Sequence, residues 1–399
     1  MSLESYQYSH STMSVLPPEL WLEIFSWATM PEGTTPYECN YKPFRESPAR
    51  DDRGVDLEVK ALASKLSMVC RDWHAMTTEL LYKDVLINRG QNALKSVLCP
   101  HQNDPGYGKM VRRAVLPYDS TVTDHWTRDP SPSVEILKLC SRLEVLIRPR
   151  TVQYAMRTLA FEFDADSVAL PSLKRLEWWH NSEAERSGGI NSLAAVLRSS
   201  PNISYLFIGG ASGMSSIMLD STPLCLPSLE TLRLFSVGGF LLHQICNRLT
   251  LPALSHIVVD NVLNNGDLEG LWESHGETIE SVELGRHLRF MLGDEISLCL
   301  EHCPRLEEIN YYLFFTAPPH FAGVHQNVHT VSLHAAHNMA MDHFDTWEYL
   351  EKHFDLLLGD SLPSLHTVRL FGDWSEIMEQ PRFHHLYHAL IDRGCYVDL

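Results

Sequence analysis

The sequence predicts an α/β fold in which a small N-terminal group of helices precedes a solenoid of stacked strand-and-helix units. A phrase of the form Leu-x-x-Leu-x-Leu recurs along most of the chain, and helical phrases that end before a proline fill the gaps between its copies. Two strongly apolar helical stretches precede the first copy. One helix and one strand cannot bury their own apolar face, so such units must stack. Stacking would put a parallel sheet on the concave side and the helices on the convex side.

Length and composition narrow the possible functions. A chain of 399 residues exceeds one typical hydrophobic core, so two domains or a repeat array are expected. The net charge of −18 argues against nucleic acid as a partner, because phosphate binding needs Lys and Arg, and it also disfavours an anionic membrane. The N-terminus lacks an apolar signal core and no run reaches the length of a membrane span, which favours the cytoplasm or nucleus. Nine cysteines without paired spacing indicate reduced thiols.

The first predicted element is a helix that follows residues 1–14, which we expect to be a disordered tail. Pro17 and Pro18 suit a helix start, since a proline at the first helical position loses no hydrogen bond. Two apolar stripes lie side by side on this helix: Leu20, Ile24 and Trp27 form one, and Trp21, Phe25 and Ala28 form the other. A surface helix needs only one such stripe, so the second must be buried or must bind a partner.

A second apolar stretch has the same character. Leu62, Leu66, Val69 and Trp73 follow helical spacing, and Leu80 with Leu81 is predicted to open a third short helix. Three short helices make a core that rarely contributes more than ~3–5 kcal/mol on its own. We therefore expect these helices to gain stability by docking onto something else.

These two stretches together resemble an F-box. The matching motifs are Leu-Pro-x-Glu-Leu-x-x-x-Ile-Phe from Leu16 and Leu-x-x-Val-Cys-Arg-x-Trp from Leu66, with an acidic and proline-rich insert over 30–53, as in the fungal form. The resemblance covers residues 15–88. It implies binding to a Skp-type adaptor and, through it, to a cullin–RING ubiquitin ligase. The adaptor-binding positions that the motif implies are Leu16, Pro17, Leu20, Ile24, Phe25, Leu66, Val69, Cys70 and Trp73.

The recurring phrase resembles leucine-rich repeats and covers residues 105–399. A degenerate copy begins at Val111, and the later copies begin at Leu143, Leu173, Ile203, Leu229, Leu254, Ile279, Leu306, Val328 and Leu365. Five of the eight steps from Leu143 onward lie within the 20–29 residues typical of such repeats. The Asn or Cys that commonly closes the repeat phrase is missing from most copies, so no continuous asparagine ladder is expected.

Further elements follow from local patterns. The alternation over 84–87 predicts a first strand, and 92–99 could form a short helix. Helical phrases at 191–199, 240–246 and 295–302 each precede a proline, which disfavours helix at the residue before it. The long step of 37 residues before Leu365 has room for an inserted helix over 346–358. Residues 382–399 are predicted to be a closing unit that covers the last open edge of the solenoid.

A search for catalytic or metal-binding patterns predicts no catalytic residue, no metal and no cofactor. The sequence has no HExxH motif, and we interpret the histidines at 320, 325, 329, 334, 337 and 343, and the pair at 384 and 388, as polar surface positions. The glycines at 209, 210 and 213 lack the order of a phosphate-binding loop. Cys303 with His302 is the nearest thing to an activated thiol, but its place before a repeat strand favours a packing role.

The remaining candidate is a recognition surface for a protein substrate. Side chains alternate along a strand, so the third, fifth and seventh positions of each phrase face away from the core. Exposed aromatics and arginines at such positions are typical of binding hot spots. The substrate-binding candidates are Arg175, Trp179, Tyr205, Phe207, Arg233, Phe235, Tyr312, Arg369 and Phe371, with polar neighbours at Glu177, His256, Asp260, Glu308 and Asn310.

Three functions follow from these patterns. The first is a substrate-receptor subunit of an SCF-type cullin–RING E3 ubiquitin ligase, which is not itself an enzyme. The second is a scaffold of the same fold without a ligase role. The third is a metal-dependent hydrolase built on the histidine cluster.

Overall fold

The computed structural model describes residues 16–29, 37–45, 53–87, 91–100, 106–117, 130–150, 164–180, 182–210, 223–263, 268–343 and 345–399, so the expected tail 1–14 lies outside the described residues. The chain forms two compact units. Unit 1 comprises Met1–Pro36 and Asp51–Asp84, and unit 2 comprises Tyr37–Arg50 and Val85–Leu399. Part of the insert expected over 30–53 therefore belongs with unit 2, although it lies between the helices of unit 1 in sequence.

Unit 1 contains the helices α1 (Pro18–Ala28), α2 (Arg53–Ser67) and α3 (Arg71–Lys83). The proline start of α1 is as predicted, with Pro17 at the N-cap. The prediction for the other two helices was wrong in its boundaries. The backbone is extended at Cys70, so α2 and α3 are separate helices. The Cys70 Sγ accepts a hydrogen bond from the Trp73 N–H at 3.5 Å and so caps α3. Helix α3 then runs continuously through the Leu80–Leu81 pair, where a separate helix was expected.

Among the described residues of unit 2, twelve strands form one sheet in which each strand neighbours the next along the chain, apart from two short strands. Neighbouring strands pair in parallel from the second strand of this sheet to the last. The strands of this sheet are β1 (Asp84–Leu86), β2 (Arg113–Val115), β3 (Val145–Arg148), β4 (Arg175–Trp179), β5 (Tyr205–Gly209), β7 (Thr231–Gly238), β9 (His256–Leu263), β10 (Ser281–Leu284), β11 (Glu308–Tyr312), β12 (Thr330–Ala335), β13 (Thr367–Gly372) and β14 (Tyr396–Asp398). The two short strands, β6 (Leu224–Cys225) and β8 (Leu249–Thr250), pair with each other.

The repeat phrase sets where the strands begin. From β2 to β13, each strand of the large sheet starts at the third position of a predicted copy, and these third positions are aligned across the sheet. The fourth position of each copy points to the core and is at most 1% exposed: Leu146, Leu176, Leu206, Leu232, Ile257, Val282, Ile309, Val331 and Val368. Full burial of one such side chain contributes about 1.5–3 kcal/mol, so the repeated apolar phrase determines the stacking.

Most of the described connections between neighbouring strands contain a helix, as crossovers between parallel strands usually do. The predictions over 295–302 and 346–358 match helices with the same bounds, and helices over 91–98, 193–198 and 239–248 overlap the other predicted phrases. The helices of unit 2 are α4 (Gln91–Leu98), α5 (Ser131–Leu139), α6 (Ser182–Arg186), α7 (Leu193–Arg198), α8 (Gly239–Arg248), α9 (Glu269–His275), α10 (Glu295–His302), α11 (Thr346–Leu358), α12 (Ser375–Met378) and α13 (Pro381–Asp392). The closing unit predicted over 382–399 corresponds to α13 and β14.

A buried ion pair lies on the helix side of the sheet. Arg148 at the end of β3 donates to Glu185 of α6 over 3.0 Å, and the Trp178 indole N–H donates to the same carboxylate over 2.9 Å. The Arg148 side chain is fully buried and stacks over the Trp178 ring at 4.6 Å. Arg148 also donates to the Asn191 carbonyl over 2.7 Å, so Glu185 supplies the counter-charge of this buried guanidinium and accepts the indole N–H.

Candidate functional site

Helix α1 presents two faces of opposite character. At 100° per residue, Leu20, Ile24 and Trp27 fall within one narrow sector of the helix, and Leu16 lies just before the N-cap Pro17. These four side chains, named here the α1 stripe, are 37–65% exposed. Four large apolar side chains in one exposed row are the kind of patch that marks a protein partner.

The neighbouring sector of α1 forms the core of unit 1. Trp21, Phe25 and Trp73 make an aromatic cluster with ring centroids 4.7–5.6 Å apart. Phe25 is only 2% exposed, so it offers no surface to an adaptor. The prediction that Phe25 is a contact residue is corrected, because its ring holds α1 against α3.

The other predicted adaptor-binding residues are at or near the surface of unit 1. Pro17, Val69 and Cys70 are exposed, whereas Leu66 and Trp73 are half-buried. Cys70 has a structural task as well, since its sulfur caps α3. The α1 stripe and the exposed turn between α2 and α3 are therefore the surfaces of this unit that a partner could contact.

Unit 2 carries a second candidate site on the sheet face opposite its helices, named here the inner face. The predicted substrate-binding residues do lie on strands or strand ends at the predicted positions. The expectation that they are exposed was wrong for most of them. Arg175, Trp179, Tyr205, Phe207, Arg233 and Tyr312 are buried, and Phe235, Arg369 and Phe371 are half-buried.

Segment 37–45 of the same chain covers this face. At its N-terminal end, Cys39 packs against the aromatic cluster of Trp179, Tyr205 and Phe207. The guanidinium of Arg175 donates to the backbone carbonyl of Glu38 over 2.5 Å. The same guanidinium pairs with Glu177 at 2.7 Å and stacks over the Tyr205 ring at 4.2 Å.

Tyr41 lies at the centre of the segment and contacts residues of three strands. Its hydroxyl donates to Glu283 Oε2 over 2.9 Å and accepts from Asn310 Nδ2 over 2.8 Å. Its ring stacks on His256 with centroids 5.2 Å apart. Both hydrogen-bonding capacities of the phenol and one of its faces are thus in use.

Phe44 fills an aromatic pocket further along the sheet. Its ring lies 4.9–5.2 Å from those of Tyr312, His334 and Phe371, on three consecutive strands. The Phe44 N–H donates to Glu283 Oε2 over 2.8 Å. Phe44 also has a φ of 55°, a conformation that bulky residues rarely adopt, so the pocket and this hydrogen bond hold a strained turn.

Arg233 anchors the C-terminal end of the segment. It donates to the Arg45 carbonyl over 2.8 Å while its other nitrogens form a two-point pair with Asp260 at 2.5 and 2.7 Å. Burial alone would lower the pKa of Arg233, but the Asp260 carboxylate more than offsets this and the net shift is upward. The guanidinium therefore stays charged and available to the backbone carbonyl.

Glu283 is the most perturbed carboxyl of this face. It is 1% exposed, and burial raises its pKa to about 7 although Arg233 and the hydrogen bonds from Phe44 and Tyr41 act in the opposite direction. The nearby Asp260 adds to the upward shift. One carboxyl thus binds two points of the segment and titrates near neutral pH.

Sequence reasoning missed Glu283 and the covering segment. Glu283 is the fifth position of the copy at Ile279, so the same alternation rule would have found it. The signal for the segment was weaker: Tyr41 and Phe44 are two of the three aromatic residues, with Tyr37, in an insert that is mostly polar and rich in proline.

The other sequence candidates have structural roles. Cys303 is fully buried and burial raises the pKa of its thiol to about 12, so it is not an activated nucleophile. His325 contacts the Cys303 carbonyl at 2.9 Å, His334 lines the Phe44 pocket, and His329 stacks on His366 at 5.2 Å. Gly209 ends β5, and Gly213 lies outside the described residues.

No protein-family model matches this sequence, and no curated protein matches it. Solved chains that match in structure include a Bacteroides fragilis protein from a structural-genomics programme, with 11% identity, a TM-score of 0.39, and coverage of 76% of this chain and 68% of that one. A likeness at that TM-score carries no argument about fold or function. Within the described ranges, no helix has the length and apolar character needed to span a membrane.

Proposed function

We propose that this chain is the substrate-receptor subunit of an SCF-type cullin–RING ubiquitin ligase. In this proposal the helices of unit 1 act as an F-box that binds a Skp-type adaptor, and unit 2 acts as a leucine-rich-repeat-like solenoid that binds a protein substrate. The proposal rests on the resemblance of the motifs that begin at Leu16 and Leu66.

The observation that carries the proposal is the α1 stripe. The aromatic core of unit 1 uses Trp21, Phe25 and Trp73, yet Leu16, Leu20, Ile24 and Trp27 remain in water on the same short helix. Leaving such side chains exposed forgoes about 0.8 kcal/mol for each buried CH₂. Docking onto an adaptor would recover this free energy. Adaptor binding would therefore explain why these apolar side chains are exposed in the chain on its own.

The chain itself would make no bond in this role. Ubiquitin transfer would be performed by other subunits, and this chain would raise the local concentration of its substrate near them.

The test is adaptor binding by the full chain with Leu20→Ala and Ile24→Ala combined. Truncating two half-exposed apolar side chains of an interface should remove about 2 kcal/mol, or about a thirtyfold loss of affinity for a purified Skp-type adaptor. Isothermal titration calorimetry measures the affinity, and circular dichroism checks that the helices persist.

A matched control is available on the same helix. Leu22 is 39% exposed, close to the 44% of Leu20, but it lies on the other side of α1 from the stripe. Leu22→Ala should therefore leave adaptor affinity unchanged. Wild-type affinity in the double variant, or an equal loss in Leu22→Ala, would refute the assignment of the stripe.

A further inference from the structure

We propose that the inner face of unit 2 is a groove for protein segments of the form Tyr-x-x-Phe, and that residues 37–45 occupy it in cis. A segment of another protein with the same chemistry would bind by displacing them. Peptide binding by the groove does not depend on the adaptor. That the bound protein is a ligase substrate rests on the function proposed above.

The first argument is that the contacts are those of a bound ligand. Two side chains of the segment, Tyr41 and Phe44, enter separate environments, and two arginines of the sheet bind main-chain carbonyls at either end. Side-chain pockets supply specificity and main-chain hydrogen bonds supply sequence-independent affinity in peptide recognition. The groove therefore has both parts of a peptide-binding site.

The second argument is the spacing of Tyr41 and Phe44, the two side chains that the groove binds. The Tyr41 phenol is bound by β10 and β11 with its ring on β9, whereas the Phe44 ring sits on β11, β12 and β13. A turn at Pro43–Phe44 brings the Phe44 N–H back to Glu283. The sheet thus selects a tyrosine followed three residues later by a phenylalanine.

The third argument is that the segment can leave without breaking the sheet. Within the described residues it forms no strand and adds no ladder to the sheet edge. Its most exposed charged side chain, Lys42, pairs inside the segment with Glu38 at 2.7 Å. Among the described residues, Asn310 Oδ1 and Ser332 Oγ find no hydrogen-bond partner, so this occupant does not satisfy the groove completely.

The wild-type full chain can report displacement through its own Cys39. This thiol is half-buried against the aromatic cluster, whereas Cys70 and Cys225 are exposed and serve as internal references for reactivity. A synthetic peptide of residues 37–45 with Cys39→Ser is added in excess, the chain is alkylated with iodoacetamide, and labelling at each cysteine is followed by mass spectrometry.

The peptide should accelerate Cys39 labelling about fivefold or more without changing the rates at Cys70 and Cys225. A peptide that also carries Tyr41→Ala and Phe44→Ala should have no effect. A peptide with Lys42→Ala should act like the parent, because the Lys42 side chain is 60% exposed and pairs within the segment. Absence of acceleration at millimolar peptide, or equal acceleration by all three peptides, overturns the proposal.

A second measurement uses the full chain with Tyr41→Ala and Phe44→Ala. Releasing the cis segment should let this variant bind a fluorescently labelled 37–45 peptide at least about tenfold more tightly than the wild type does. If the variant keeps the circular dichroism of the wild type and binds no peptide, the segment is a fixed part of the fold and the proposal fails. If the variant does not fold, the Cys39 result decides. Neither assay contains an adaptor, so failure here is distinct from failure of the α1 stripe.

Discussion

Docking of segment 37–45 should depend on pH through Glu283, and Glu283→Gln isolates that dependence. The carboxyl is buried when the segment is docked, and its pKa is then about 7 instead of its ordinary 4.5. A raised pKa means that docking takes up a proton. The contribution of Glu283 to the free energy of docking is fully present below the pKa of the undocked carboxyl, and it is lost as the pH rises through about 7.

The magnitude follows from these two values. Between pH 6 and pH 8 the docked carboxyl changes from mostly protonated to mostly ionised, whereas a carboxyl that undocking returned to its ordinary pKa of 4.5 would be ionised throughout. Linkage then predicts that the free energy of docking weakens by about 1.3 kcal/mol over that interval, which is about a tenfold loss of affinity for the segment. Other titratable or charged groups also face the segment: His256, His334, Asp260 and Arg233. They are the same in the chains with and without Glu283→Gln, so their effects cancel in the ratio of the two affinities.

The assay is anisotropy of the labelled 37–45 peptide on chains that carry Tyr41→Ala and Phe44→Ala, with and without Glu283→Gln. Glutamine keeps the shape of the side chain and does not titrate. The ratio of the two affinities should change about tenfold from pH 6 to pH 8, with the Glu283 chain weakening at the higher pH. Parallel pH profiles in the two chains would contradict a role for Glu283 as the titrating contact.

Two further predictions concern unit 2. Glu185→Ala should destabilise the fold by about 3–5 kcal/mol in urea unfolding, because it leaves the guanidinium of Arg148 buried without its counter-charge; Glu348→Ala, which removes half of an exposed pair, should change stability by less than about 1 kcal/mol. Iodoacetamide should alkylate Cys225 in the native protein but reach Cys303 only after denaturation, since burial holds the Cys303 thiol protonated; rapid native labelling of Cys303 would contradict this.

The repeat units could be predicted from the sequence because their information is local. Each apolar phrase marks its own strand, and Pro201 and Pro304 mark the ends of the helices before two of them, so strand starts at Tyr205 or Glu308 follow from a few neighbouring residues. The break between α2 and α3 was harder to predict. Leu66, Val69 and Trp73 keep helical spacing across it, and only the capping role of Cys70 interrupts the helix.

The covered inner face could not be predicted in the same way. Tyr41 and Glu283 are 242 residues apart, and nothing in local periodicity links an insert between two helices to the face of a distant sheet. Alternation along the strands predicted which side chains face inward but not what lies over them. The aromatic and arginine positions do lie on the inner face as predicted, and residues 37–45 of the same chain contact several of them.

A cis occupant changes which partners the groove can select. A tethered segment competes at an effective concentration on the order of millimolar. A free protein must therefore displace this segment from the groove in order to bind. A trans segment that only repeats the contacts of Tyr41 and Phe44 would be held back by the ratio of that concentration to its own dissociation constant. One that also donates hydrogen bonds to Asn310 Oδ1 and Ser332 Oγ, two atoms that find no partner while the cis segment is docked, would gain about 0.5–1.5 kcal/mol from each. The cis segment would thereby exclude weak Tyr-x-x-Phe sequences and admit those that satisfy the groove more completely.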